Sequence, residues 1–272
     1  MKVYIQTDIE GVAGFCFFEN RKNKDYENIL HRQRMYKLLT AEVNAAVRGA
    51  FEAGADEVYV NDSHGTGYNI IFEELDPRCF IIHGDNCSGP HWLPKLDQTF
   101  DAMVCIGLHA MGGTKCAITP HSLWEINDGE IYLSEGTMAA AIAGDFNVPV
   151  VMVSGDDKIC AEFQAKVPGV ETAVVKEALA PHQACSMMPA ASCKLIAEKV
   201  KIALTNIGKV KPFKISGPVK LALFDSDNHA PPLQQIGEKV VADTVNEAFL
   251  KYEKAMPWTK FDSEEPYGFV FP

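Results

Sequence analysis

The stretch MKVYIQTDIEGVAG, residues 1–14, begins with the pattern of a β-strand and ends in two carboxylates. Val3 and Ile5 alternate with other side chains, which is the period of a strand. Asp8 and Glu10 follow, and side chains two residues apart point to the same side of an extended backbone. Two neighbouring carboxylates oppose each other's ionisation unless a cation or a proton lies between them. Taken alone, the pair fits either a solvated strand end or part of a binding site.

The chain then alternates between helix and strand patterns. Apolar residues recur at helical spacing from about Tyr26 to Ala53, and Gly54 stands where a helix commonly ends. The segment DEVYVND, residues 56–62, is typical of a second strand, so a βαβ unit with a parallel strand pair is predicted. Further strands are predicted at 79–85, 100–110, 148–157, 171–176 and 219–225, with a hairpin at 123–133. Helices are predicted at 135–144, after Gly155, at 190–205 and at 246–256.

This rhythm predicts an α/β fold with three layers, a mostly parallel sheet with helices on both faces, plus a smaller α/β C-terminal domain. The segment GKVKPFKISGP, residues 208–218, interrupts the pattern with glycine, proline and lysine. We therefore predict two domains, residues 1–200 and residues 201–272, with a boundary between about 190 and 215.

Composition restricts the class of protein. The chain has 272 residues, 47% of them hydrophobic, and a formal net charge of -11, which disfavours nucleic acid and anionic membrane surfaces as partners. Asp8 comes before any apolar segment of a signal peptide, and no apolar run is long enough for a transmembrane helix. The eight cysteines are scattered without a CxxC pair, which favours buried, reduced thiols and a cytoplasmic protein over a cysteine zinc site.

Two histidines follow predicted strands at their carboxyl ends. His64 lies in VNDSHG after the second strand, and His109 directly follows AMVCIGL. Each alone is more typical of a hydrogen-bonded turn residue. However, the carboxyl ends of parallel strands meet at one edge of a sheet, where ligands bind. Asp8, Glu10 and these two histidines should therefore lie together, and oxygen and nitrogen ligands of this kind bind divalent metals.

Two later residues extend this set. Glu135 begins the predicted small-residue helix and is either a third carboxylate ligand or an acidic residue favoured by the helix dipole. Five nitrogen and oxygen ligands exceed the need of one zinc ion but suit two metal ions bridged by a carboxylate. His121, in ITPHSLWE, would serve near such a site as general acid or base or as a charge stabiliser. Asp156 and Asp157 either line the same crevice or begin the following helix.

The motifs TDIEG (7–11), VNDSHG (60–65), GLHA (107–110), HS (121–122) and SEG (134–136) resemble, in order and spacing, the D-aminopeptidase family of zinc metallopeptidases, the dipeptide-operon D-aminopeptidase group. The similarity covers roughly residues 1–210. Family members are cytoplasmic homodecamers of two stacked five-membered rings, with an α/β N-terminal domain and a smaller α/β C-terminal domain. The resemblance therefore implies a homo-oligomer that cleaves short peptides.

The resemblance also implies residue roles. It makes Asp8 the bridge between two zinc ions, with Glu10 and His64 completing one site and His109 and Glu135 completing the other. It makes His121 the catalytic residue, which the family describes as a nucleophile, although a base or electrostatic role is chemically more ordinary. The chain departs from the family pattern at Ser134 and Ala139, where glycine and asparagine are usual, and these changes bear on substrate preference.

The sequence thus predicts a dinuclear zinc aminopeptidase that acts on short peptides, with D-amino acids at the N-terminus as one substrate class. Two alternatives stay open at this point. One is another two-metal hydrolase, an amidohydrolase or a phosphoesterase, on the same ligands. The other is a non-catalytic peptide-binding accessory protein with structural metals, against which the absence of cysteine ligands argues.

Overall fold

The protein is represented by a computed structural model that describes residues 1–17, 26–84, 91–225 and 232–257. These residues form eleven strands and five α-helices in an order close to the predicted one. The elements are β1 Lys2–Thr7, α1 Tyr26–Glu52, β2 Glu57–Asp62, β3 Phe80–Ile82, β4 Ala102–Leu108, β5 Leu123–Ile126, β6 Ile131–Leu133, α2 Glu135–Asp145, β7 Val150–Asp156, α3 Asp157–Lys166, β8 Glu171–Ala180, β9 Gln183–Ser186, α4 Pro189–Thr205, β10 Val219–Asp225, β11 Gln234–Ala242 and α5 Val245–Lys254.

The central sheet has seven strands in the order β3-β2-β1-β4-β7-β8-β9. All neighbouring strands are parallel except β8 and β9, which form an antiparallel pair. Ile5 of β1 is in register with Val60 of β2 and Val104 of β4. Both β4 and β7 are buried along their whole length, as expected for strands covered on both faces. The predicted mostly parallel sheet is confirmed.

Helices cover both faces of this sheet. The chain passes from β1 to β2 toward one edge, and from β4 to β7 and β8 toward the other. Because parallel crossovers are right-handed, α1 lies on one face, and α2 and α3 lie on the opposite face. Helix α4 packs against α1 on the first face. The three-layer α/β architecture is therefore as predicted.

A second, antiparallel sheet has the strand order β11-β10-β5-β6. Its central pairing joins β10 to β5, with Leu223 in register with Trp124. The hairpin at 123–133 thus lies outside the central sheet, and its strand β5 pairs with β10, which follows it by nearly a hundred residues. Helix α5 packs on this sheet and against α2. The division into residues 1–200 and 201–272 stays a prediction, and the second sheet takes strands from both ranges.

Two sequence expectations differ from the structure. The antiparallel strands β9 and β11 were not expected, because only a short strand was predicted at 171–176 and none between the strand at 219–225 and the helix at 246–256. The cysteines are free but not uniformly buried: Cys105 and Cys160 are buried, whereas Cys116 and Cys185 are exposed on loop and edge positions. In the part of the chain that the structure describes, no helix has the length and apolar character needed to cross a bilayer.

Candidate metal centre

Three neighbouring strands deliver polar side chains to the same edge of the central sheet. Asp8 directly follows β1, His64 follows β2 after one residue, and His109 directly follows β4, and β1 lies between the other two strands. The Asp8 carboxylate lies between the two imidazoles. Its Oδ1 is 2.8 Å from Nδ1 of His64, and its Oδ2 is 3.7 Å from Nε2 of His109. The predicted convergence of these residues is present.

The turn after β1 packs closely against the end of β4. The amide of Asp8 donates to the carbonyl of Ile106 at 2.8 Å, and the amide of Gly11 donates to the carbonyl of Gly107 at 2.7 Å. A Cβ atom on Gly11 would lie 2.1 Å from the carbonyl oxygen of Leu108, so only glycine permits this approach. The turn thereby keeps Glu10 close to the strand ends.

Asp8, Glu10 and His64 form one group of buried donor atoms. Nδ1 of His64 lies 2.8 Å from Asp8 and 3.0 Å from Oε2 of Glu10. Asp62 supports the turn that carries His64, because its carboxylate accepts hydrogen bonds from the amides of Asn69 and Ile70 at 2.6 and 2.8 Å. The side chain of Asn69 in turn donates to the carbonyl of His64 at 2.6 Å.

His109, His121 and Glu135 form the second group. Oε1 of Glu135 lies 3.8 Å from Nε2 of His109 and 3.9 Å from Nδ1 of His121, and the two imidazole rings stack at 4.2 Å. Glu135 is the first residue of α2, whose preceding residue Ser134 accepts a hydrogen bond from the amide of Thr137. Ser134, one of the two departures from the family pattern, is therefore the N-cap that fixes the start of this helix.

The two groups adjoin each other. Asp8 reaches His109 at 3.7 Å, and Oε1 of Glu10 lies 3.8 Å from Nε2 of His121. All six predicted site residues therefore lie in one site, formed from three strand ends, a loop and the N-terminus of α2. Within the residues that the structure describes, these two triplets are the sets of His, Cys, Asp and Glu side chains whose ligand atoms come within 4.8 Å of one another.

The site carries an excess of buried negative charge. Burial and the nearby Glu10 carboxylate raise the pKa of Asp8 to about 6. Burial opposes protonation of His109, but the hydrogen bond and charge of Glu135, with the charges of Asp8 and Glu10, raise its pKa to about 10. In the same way, His109 lowers the pKa of Glu135 to about 2 although burial acts in the opposite direction. The carboxylates thus favour a positive charge at this position.

Two buried atoms in the site, Oε2 of Glu10 and Nε2 of His109, make no hydrogen bond of ordinary geometry, although Oε2 of Glu10 lies 3.0 Å from His64 and Nε2 of His109 lies 3.8 Å from Glu135. Nδ1 of His109 lies 2.8 Å from the carbonyl of Ala110, which accepts its hydrogen bond, so Nε2 is the nitrogen that faces the site and that would bind a metal ion in place of a proton. Buried polar atoms are normally paired, and a metal ion is a partner that this donor set accepts. The nitrogen and oxygen ligands therefore fit a divalent metal such as zinc.

Two further residues at the site were not predicted. Oγ of Ser122 donates to Oε1 of Glu135 at 2.5 Å, and Oδ1 of Asp225 lies 3.9 Å from Nδ1 of His121. Ser122 belongs to the HS motif, so its position beside His121 was an available signal. Asp225 is the last residue of the strand VKLALFD. This strand belongs to the second sheet, and Asp225 reaches the site only because the strand pairs with the distant β5.

Asp156 has a structural position instead of a place among the ligands. Its carboxylate accepts hydrogen bonds from the amides of Lys158 and Ile159 at 3.0 and 2.9 Å, so it caps α3. It also accepts from the amide of Ile118 at 3.0 Å. Of the two open interpretations of Asp156, the helix-start role is the one that the structure shows.

Comparison with known proteins identifies the family of this chain. A family model described as D-aminopeptidase matches residues 1–257. A D-aminopeptidase of Bacillus subtilis (strain 168) is 35% identical over 221 residues, with 78% of this chain and 77% of that protein covered. The solved structure of the Zn-dependent D-aminopeptidase DppA from Bacillus subtilis, described as a self-compartmentalizing protease, is similar with a TM-score of 0.78 and 28% identity, covering 94% of this chain and 99% of that chain. This chain belongs to the D-aminopeptidase family.

Proposed function

We propose that the protein is a zinc-dependent aminopeptidase that removes N-terminal residues, D-amino acids among them, from short peptides. The observation that carries the proposal is the pair of adjoining ligand groups that meet at Asp8, with Oε2 of Glu10 and Nε2 of His109 buried and without a hydrogen bond of ordinary geometry. Its family membership, and a similar structure described as a Zn-dependent D-aminopeptidase, support zinc as the metal and peptides as the substrate.

Two zinc ions per chain are part of the proposal. Asp8 would be shared between them, because each of its carboxylate oxygens faces a different histidine. Glu10 and His64 would complete one zinc site, and His109 and Glu135 would complete the other. Six oxygen and nitrogen side chains in contact with one another are more than a single tetrahedral zinc ion uses.

When bound, zinc supplies Lewis acidity toward the scissile carbonyl and toward water. His121 is the proposed catalytic residue, and 14% of its side chain is exposed, whereas the side chain of His109 is 1% exposed. Nε2 of His121 lies 3.8 Å from Oε1 of Glu10, and its Nδ1 lies 3.9 Å from Oε1 of Glu135. Its imidazole would hold the proton that the leaving amine takes up, or stabilise negative charge at the cleaved carbonyl.

We also propose that the chain assembles into a homodecamer of two five-membered rings that encloses the active sites. The description of DppA as a self-compartmentalizing protease supports a closed homo-oligomer. A cytoplasmic location is proposed with it, and the free state of the seven cysteines in the described residues is in keeping with a reducing compartment.

The test combines zinc content with a substrate panel. The purified protein, stripped of metal and reconstituted with zinc, should hydrolyse dipeptides with D- or L-alanine at the N-terminus and leave their N-acetylated forms and phosphate esters intact. His121→Ala should retain zinc and lose at least about 100-fold in kcat, the usual contribution of a general acid or base. Full activity of His121→Ala, or cleavage of the phosphate ester alone, would contradict the proposal.

A further inference from the structure

Lys176 is a buried lysine of β8 whose ammonium binds main-chain oxygens. The residue is 1% exposed. Its Nζ has three N–H donors, and they reach the carbonyl of Glu10, the carbonyl of Val12 at 3.1 Å and the carbonyl of Phe15 at 2.8 Å. Among the described residues, no carboxylate lies within ion-pair distance of this ammonium. The ammonium is therefore held directly by main-chain oxygens of one short segment, while the charges of Asp156, Glu42 and Glu10 act on it from farther away.

This arrangement is not explained by stability alone. Burying an ammonium group costs several kcal/mol even after relaxation, and apolar replacements of buried ionic groups are often neutral or stabilising. The three carbonyls belong to the irregular segment between β1 and α1, where no neighbouring strand supplies their donors. Lys176 supplies them, and its removal would take this donor from all three carbonyls, of which that of Val12 also accepts from the amide of Phe15 at 3.1 Å.

A carboxylate holds the same segment from the other side. Glu42 of α1 is 2% exposed, and its Oε1 accepts a hydrogen bond from the amide of Ala13 at 3.2 Å. Lys176 thus donates to carbonyl oxygens, and the carboxyl group of Glu42 accepts from an amide that lies between them in sequence. Neither α1 nor β8 carries any of the six residues of the metal centre.

The segment held in this way includes a candidate metal ligand. The carbonyl of Glu10 accepts from Lys176, and the carboxylate of the same residue lies 3.0 Å from Nδ1 of His64. The direction of the Glu10 side chain therefore depends on the peptide group that Lys176 fixes. Binding sites tolerate errors of only about half an ångström in the position of such groups.

We propose that Lys176 is a positioning residue for the metal centre, which acts through the backbone of residues 10–15 to orient the carboxylate of Glu10. The inference rests on the proposed function in one respect, namely that Asp8, Glu10 and His64 hold zinc. It adds a residue that lies outside both ligand groups and touches neither substrate nor metal.

The experiment compares metal binding by wild type, Lys176→Met and Lys199→Met. Lys176→Met keeps an apolar side chain of similar length without the donors. Lys199 is a matched control, because it is a lysine of α4 that pairs with Glu171 at 2.8 Å at the opposite end of β8. Zinc dissociation constants are measured by competition with a chromophoric chelator, and the absorption spectrum of the cobalt(II)-loaded proteins reports ligand geometry. Unfolding of the metal-free proteins in urea reports folding separately.

Lys176→Met should bind zinc about 10- to 100-fold more weakly than wild type and give an altered cobalt spectrum, while still unfolding cooperatively. Lys199→Met should match wild type in both metal measurements. If Lys176→Met fails to fold, Lys176→Gln, which keeps one amide donor group, makes the same comparison with the same expected direction. Wild-type zinc affinity and cobalt spectrum in the folded Lys176 variant overturn the inference.

The outcome separates this inference from the proposed function. A wild type that binds zinc but cleaves no peptide refutes the aminopeptidase proposal, and a weakened zinc affinity in Lys176→Met then still supports the positioning role. A wild type that cleaves peptides, together with unchanged zinc binding by Lys176→Met, refutes the positioning role alone.

Discussion

Replacing Glu42 with glutamine should change how the free energy of unfolding depends on pH. Burial raises the pKa of the Glu42 carboxyl from 4.5 to about 7, and the Ser192 hydroxyl, the Ala13 amide and Lys176 only partly oppose this effect. The native protein therefore binds this proton more tightly than the unfolded chain does. The stability that Glu42 contributes is fully present below pH 4.5 and is lost as the pH rises through about 7.

The size of the effect follows from the two pKa values. The difference between about 7 and 4.5, at roughly 1.4 kcal/mol per pKa unit, corresponds to about 3 kcal/mol in total. Between pH ~5.5 and pH ~8, about 2 kcal/mol of this falls within a practical experimental range. Glutamine has the same shape and an oxygen that can accept from Ala13, but it does not titrate.

The assay is urea unfolding of metal-free wild type and Glu42→Gln at one protein concentration across that pH range. The wild type should lose about 2 kcal/mol of unfolding free energy relative to Glu42→Gln as the pH rises. Glu198→Gln, which changes an exposed carboxylate of α4, is the matched control and should run parallel to wild type. Parallel curves for wild type and Glu42→Gln would show that Glu42 is not a proton-binding group of the native core.

Four further variants test the metal centre and its surroundings. Asp8→Asn should reduce zinc from about two ions to fewer than one per chain because both groups lose a ligand, whereas Glu135→Gln should retain about one, as measured by elemental analysis. Ser122→Ala removes the hydrogen bond to Glu135 and should weaken zinc binding about tenfold in a competition titration; unchanged affinity would show that this bond does not orient the ligand. Asp156→Ala removes the cap of α3 and the acceptor for Ile118, and should lower the free energy of unfolding by about 2 kcal/mol in urea without changing zinc content.

Local patterns were sufficient for the parallel strands of the central sheet and for the meeting of their ends, but not for its antiparallel edge strand β9. Alternating and helical spacings predicted β1, α1 and β2, and the rule that parallel strands end at one edge placed Asp8, His64 and His109 together. His121 and Glu135 were included in the predicted site because they begin the hairpin and the helix that follow β4. These residues lie on elements whose order along the chain already constrains their position.

Features that depend on long-range pairing could not be predicted in this way. The hairpin at 123–133 pairs with β10, and nothing in either segment specifies the other as its partner. For the same reason Asp225 was not expected beside His121. Lys176 ends the predicted strand ETAVVK, where a lysine normally indicates solvent, but β8 continues to Ala180 and the side chain is buried. Its partners lie more than 160 residues earlier in the chain.

The central claim is that Asp8 joins two zinc sites. The most direct measurement is a crystal structure of the zinc-reconstituted protein with anomalous differences recorded at the zinc edge. Two zinc sites that share Asp8 should give two anomalous peaks per chain, about 3.5 to 4 Å apart, with Asp8 between them. Glu10 and His64 should contact one peak, and His109 and Glu135 the other. A single peak, or peaks that do not contact Asp8, would contradict this claim.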